Sequence, residues 1–140
     1  MTDIAILGTA LLFGGMVLYS FGFAAFVFSA LPATQAGPLI RKAFPHFYVF
    51  VFATAALSGA ASAPADAVSG AILGAVALTT VVARQVLMPA INAATDAGRK
   101  RRFKLLHTVS VLVTLVHIAA AGYVLIRLAG IAGQISGQTA

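Results

Sequence analysis

The chain has 140 residues, enough for one domain. It is 61% hydrophobic and only 9% charged, with no Cys and a net charge of +6, and its mean hydropathy is +1.01. Soluble domains carry about 25% charged residues, so a water-soluble fold is excluded, as are disulfides and thiolate metal sites; residues 1–140 read as a single all-α integral membrane domain.

The opening "MTDIAILG" is acidic where a signal peptide is basic, and its apolar run is longer than a signal core. It reads as a retained helix. About 20 apolar residues cross the hydrocarbon core, and the first helix is expected over 4–30, uncharged and long enough to tilt. Gly8, Gly15, Gly22 and Ser29 recur at seven-residue spacing along it. Small residues let backbones approach, and in lipid that contact drives helix association, so these four are expected at a packing interface.

Pro32 is expected to close that helix, with 31–46 a cytoplasmic linker and a short second helix over 47–63. "SAPADA" is a tight turn in which Pro64 breaks the helix and Asp66 caps the next. The third helix is expected over 67–88. It holds one charge, Arg84, and a small-xxx-small pair, Gly70 and Gly74. Pro89 is expected to end it, 89–104 to form a second cytoplasmic linker, and 105–131 to form the fourth helix, with Arg127 near its end.

Arg41 and Lys42 lie between helices one and two, and Arg99, Lys100, Arg101, Arg102 and Lys104 lie between three and four. The positive-inside rule puts both connections in the cytoplasm and both termini outside. The expected location is a bacterial inner membrane. The basic run serves as a topology determinant, or as a contact for anionic lipid headgroups; no nucleic-acid partner is expected from so short a run beside the membrane.

Helix four carries His107, Ser110, Thr114 and His117, within an arc of about 80°. Polar groups on one face of a membrane helix point into the bundle. Thr54 and Ser58, or Thr79 and Thr80, are the expected opposing groups. Eleven of the thirteen aromatic residues lie between Phe13 and Phe52, so a phenyl-rich hairpin faces a polar one, the mix expected of a ligand pocket. The alternative is core filling by Phe.

"LPATQAGPLIRKAFPHF" and "MPAINAATDAGRKRRFKLLH" share Pro-Ala, an Ala-Gly step and bases, and read either as a two-hairpin repeat or as shared helix-end grammar. A repeat puts His46 and His107 at one depth. His117 lies about 15 Å further along its helix. One small ligand therefore does not bind both His107 and His117, and His107 is the preferred functional residue.

Leu31, Pro32, Gly37, Phe44 and Pro45, followed by Pro89 and the His107–Ser110 pair, resemble the transmembrane protein 205-like family of small four-helix membrane proteins. That family often has Arg where Ser29 stands, Gly where Thr108 stands and Asn where Thr114 stands. The resemblance implies a role in export or trafficking. The layout is also similar to that of the copper-resistance D and protoporphyrinogen oxidase J membrane proteins, which have functional histidines.

Three carboxylates and no nucleophile motif argue against an enzyme acting through its own side chains. Hard cations want carboxylates and soft ones Cys or Met, so no metal site is expected. The leading expectation is binding or transport of a small molecule within the bundle, with a homo-oligomer supplying further path. One alternative is haem ligation by His107 or His117, with His46 as second ligand. The other is a non-catalytic scaffold or accessory subunit.

Overall fold

The computed structural model describes residues 2–138. Its helices are α1 (Thr2–Ala30), α2 (Ala33–Ser62), α3 (Ala67–Asp96) and α4 (Lys100–Gln138). All four are long and apolar enough to span a membrane, and among the described residues there is no strand. Consecutive helices run antiparallel. α1 packs on α2 and α4, and α3 packs on the same two, so the bundle closes on itself.

Its axis is lined by Ala5, Leu12, Met16, Val51, Ala55, Leu73, Val124 and Leu128. The outer surface is equally apolar: Leu7, Leu57 and Ile126 are each at least 70% exposed. An apolar outside as well as an apolar inside is the arrangement that hydrocarbon, and not water, stabilises. At 1.5 Å per residue, a helix of 30 residues is about 45 Å long against a core of about 30 Å. The helix ends therefore project past the hydrocarbon.

The projecting ends correct the expected linkers. Residues 33–46 are helical, and α2 runs unbroken through Pro38 and Pro45. Each proline removes one i→i−4 bond, yet the segment is held by contacts further along. Arg41 pairs with Asp96 on α3, and Phe44, Phe47 and Tyr48 pack around Tyr19 of α1. The break between α1 and α2 is confined to Leu31 and Pro32. Leu31 is extended (φ −124°, ψ 147°) because the residue before a proline is pushed out of the helical region.

Pro89 does not end the third helix. α3 passes through it to Asp96 because a π-turn, Ala83–Leu87, precedes it. The Met88 N–H donates to the Ala83 carbonyl, five residues back. That wider turn makes room for the proline ring. Pro32 breaks a helix and Pro89 does not, so the two connections differ structurally. α3 ends instead at Gly98 (φ +62°). There Gly98 N–H donates to the Thr95 carbonyl and Arg99 N–H to Ala94, a Schellman cap whose left-handed residue favours Gly. Residues 100–104, expected in a linker, form the first turn of α4.

The small residues divide. Gly8 faces Ser58 and Gly15 faces the Phe50 ring, so closely that neither has room for a Cβ. Gly22 meets only Leu18 of its own helix, and Ser29 is exposed and bonds the Phe26 carbonyl. A second π-turn, Leu18–Phe23, explains the change of phase: its extra residue rotates everything after it away from the heptad face. Gly70 is pressed against Ala63 at the turn, with a Cβ only 2.9 Å from Ala63 Cα, whereas a Cβ at Gly74 meets nothing. Gly59 of α2 makes the other close approach, to Leu73 and the α3 backbone.

Candidate functional site

Asp66 caps α3 as expected, its carboxylate accepting from Ser69 N–H (3.3 Å) and Ser69 Oγ (2.6 Å). It also takes a two-pronged bond from Arg127 of α4, Nε to Oδ2 at 2.6 Å and Nη2 to Oδ1 at 3.1 Å. The Arg127 guanidinium, with the Ser69 hydroxyl, holds the Asp66 carboxyl well below the usual carboxylate range. This clasp ties the α2–α3 turn to the fourth helix. At the other end, Arg41 and Asp96 form a similar pair (2.6 and 2.9 Å) in the open.

Between the two ends lies a buried polar seam. Ser110 and His117 are each only 8% exposed, Thr114 is half-buried, and all three turn inward with Thr80 and Tyr48. The seam encloses a cavity of about 10 Å3 lined also by Met16, Phe47, Val51 and Ala83, room for about one water molecule. His117 Nε2 lies 2.8 Å from Thr79 Oγ1 across the bundle. The Thr79 hydroxyl gives its one hydrogen to the Ala75 carbonyl at 2.6 Å, so it accepts from His117 Nε2–H. Of the expected partners, Thr79 is the one that meets the histidine. Thr54 bonds its own helix at Phe50, and Ser58 lies against Gly8.

His107 is not in the seam. It is exposed and stacks on Phe103 (centroids 5.5 Å, 7° between planes). The buried face of α4 is set by Ser110, His117, Ala121, Val124 and Leu128, which span about 60°. His107 falls about 60° to one side of Ser110, in the turns of α4 nearest its basic start. His46 is also exposed, on α2. Neither is a candidate for a buried ligand site, and the preference for His107 over His117 is reversed by burial. Among the described residues no three His, Cys, Asp or Glu side chains come together.

The aromatic residues fill the basic half of the core. Tyr19 stacks on Phe47 at 4.4 Å and meets Phe44 edge-on at 5.8 Å, and Phe44 meets Phe47 edge-on in turn. These rings pack directly on one another. The five bases Arg99, Lys100, Arg101, Arg102 and Lys104 are all exposed at the start of α4. Sequence reading missed both ion pairs, because their partners lie 55 and 61 residues apart.

Fold and surface together define a multi-pass membrane protein of four helices. Residues 7–100 match the family described as Domain of unknown function (DUF4149). The match covers more than half of the chain, which belongs to that family. No curated protein matches the chain, and no solved structure does.

Proposed function

We propose that this protein binds or transports a small molecule through the polar seam around His117, and is not an enzyme. The observation that carries the reading is the His117–Thr79 bond beside a small cavity on which Tyr48, Thr80, Ser110, Thr114 and His117 converge, in a bundle whose core is mainly apolar. Polar groups in a membrane interior are costly and mark paths and sites. The closed cavity takes a guest the size of a water molecule. A larger solute enters when α4 parts from α2 and α3, and the seam is where polar groups repay that opening. The clustered bases support a cytoplasmic basic end, outer termini and a bacterial inner membrane. The likeness to the transmembrane protein 205-like family supports an export or trafficking role, with a homo-oligomer completing the path.

A haem role fits poorly. His46 and His107 lie on the surface, and the one internal histidine bonds Thr79 and borders a cavity far smaller than a macrocycle. The scaffold reading draws on the close-packed apolar remainder of the core.

The absence of Cys makes the test direct. Single substitutions Ser110→Cys, Thr114→Cys and Thr80→Cys, in vesicles, are treated with a small membrane-permeant thiol reagent. Labelling that a transported solute blocks supports the binding reading. Complete protection in every condition, beside ready labelling of Gly98→Cys, leaves the scaffold. An impermeant reagent that reaches Gly98→Cys only from the outer side overturns the orientation.

A further inference from the structure

Arg84 stands in the π-turn of α3, and the next charge on that helix is Asp96. Its Nε is buried and has no hydrogen-bond partner. The chain has three carboxylates. Arg127 holds Asp66 and Arg41 holds Asp96, while Asp3 sits in the first turn of α1, at the far end of the bundle from the bases. Among the described residues no carboxylate is left for Arg84.

Among the described residues the other buried polar side-chain atom without a partner is Tyr19 Oη, and Tyr19 stands in the π-turn of α1. The two π-turns stand at one level, on helices that both pack on α2 and α4. Tyr19 stacks on Phe47, and Phe47 lines the seam cavity together with Ala83, the residue before Arg84. π-turns are rare and concentrate at functional sites. Here each carries a donor with no acceptor.

We propose that Arg84 binds an anionic group of the carboxylate or phosphate class that this chain does not supply, with the Tyr19 hydroxyl as a second donor at the same level. A guanidinium matches both groups through paired N–H donors. The level is that of Tyr48 and Ser110, which line the same cavity and lie about 9 Å along their helices from Lys42 and Lys104. An acidic lipid headgroup or a free amphiphilic anion arriving at the basic end therefore has about 9 Å to insert before it reaches that level. The site uses neither His117 nor Thr79 and goes beyond the function proposed above.

The test uses the full chain in phosphatidylcholine nanodiscs, to which phosphatidylglycerol or octyl phosphate is added, with thermal midpoint and retained ligand by native mass spectrometry as readouts. Wild type gains midpoint and retains the anion. Arg84→Gln loses the gain and retains it roughly tenfold less or worse, the scale of a lost hydrogen bond to a charged group. Tyr19→Phe shows a smaller loss. A response to phosphatidylglycerol alone identifies lipid as the source, and a response to octyl phosphate alone identifies a free anion. If Arg84→Gln does not fold, Arg84→Lys keeps the charge without the fork and still binds more weakly than wild type. The proposal is overturned if wild type responds to neither anion. It is also overturned if Arg84→Gln, or Arg84→Lys in its place, responds as wild type does, or if only the triple change Arg99→Gln, Arg101→Gln, Arg102→Gln removes the response.

Discussion

The two ends of the bundle are held by the same chemistry and differ in everything around it. Each has one arginine–aspartate pair with two bonds. At the Asp66 end the carboxylate side chain is 8% exposed, tied also to Ser69, and sits beside a turn so tight that Gly70 has no room for a Cβ. At the basic end Asp96 is 61% exposed, its neighbours are unpaired bases, and the turn at Gly98 is open on all sides. One end is a closed clasp and the other an open, positively charged rim. An ion pair contributes through its surroundings: exposed pairs are worth little, whereas stranding one partner of a covered pair is costly.

The largest expected effect comes from forcing the closed end. Gly70→Leu drives a side chain into the Ala63 backbone, which cannot yield as a flexible side chain would. A loss of about 1–3 kcal/mol or more is expected, read as a lower thermal midpoint in detergent, and an unchanged midpoint contradicts the geometry. Asp66→Asn comes next, since it strands Arg127 and weakens the α3 cap. It also carries a pH signature. The folded carboxyl titrates below its ordinary value of 3.8. Its contribution is therefore full above that value and drains away as pH falls through the lower, folded one. Wild type should loosen on acidification below about pH 4 and Asp66→Asn should lack that component; parallel pH profiles contradict the clasp.

At the open end the effects shrink. Gly98→Ala places a side chain in a left-handed conformation with no clash, at a cost of about 1 kcal/mol, and Gly98→Asn should recover part of it. Asp96→Asn should be the mildest, with a small, salt-sensitive change in midpoint. A drop as large as that of Asp66→Asn would erase the contrast between the ends.

Much of the architecture was legible because it rests on local pattern. Apolar length, the Asp66 cap and the inward run of Ser110, Thr114 and His117 need only composition and helical period. Helix extent was not, because Pro32 and Pro89 look alike as helix ends and the stretch that holds Pro38 and Pro45 looks like a linker. Pro38 and Pro45 are overridden by contacts that α2 makes with α1 and α3, and Pro89 by a π-turn that no residue preference announces. The same irregularity spoiled the glycine register after Leu18. His107 was misjudged because an arc of about 80° admits residues at its edge, and only the neighbouring helices decide where the buried face is centred.

The clasp between Asp66 and Arg127 joins residues 61 apart in the chain. During synthesis, the first three spans emerge well before the arginine that completes the turn joining two of them. Until α4 arrives, Asp66 is capped only by its own helix, at an edge where a carboxylate without its cation is poorly tolerated. Insertion of the last helix is thus the event that neutralises the turn, and a chain that stops short of Arg127 carries an exposed mark of its own incompleteness.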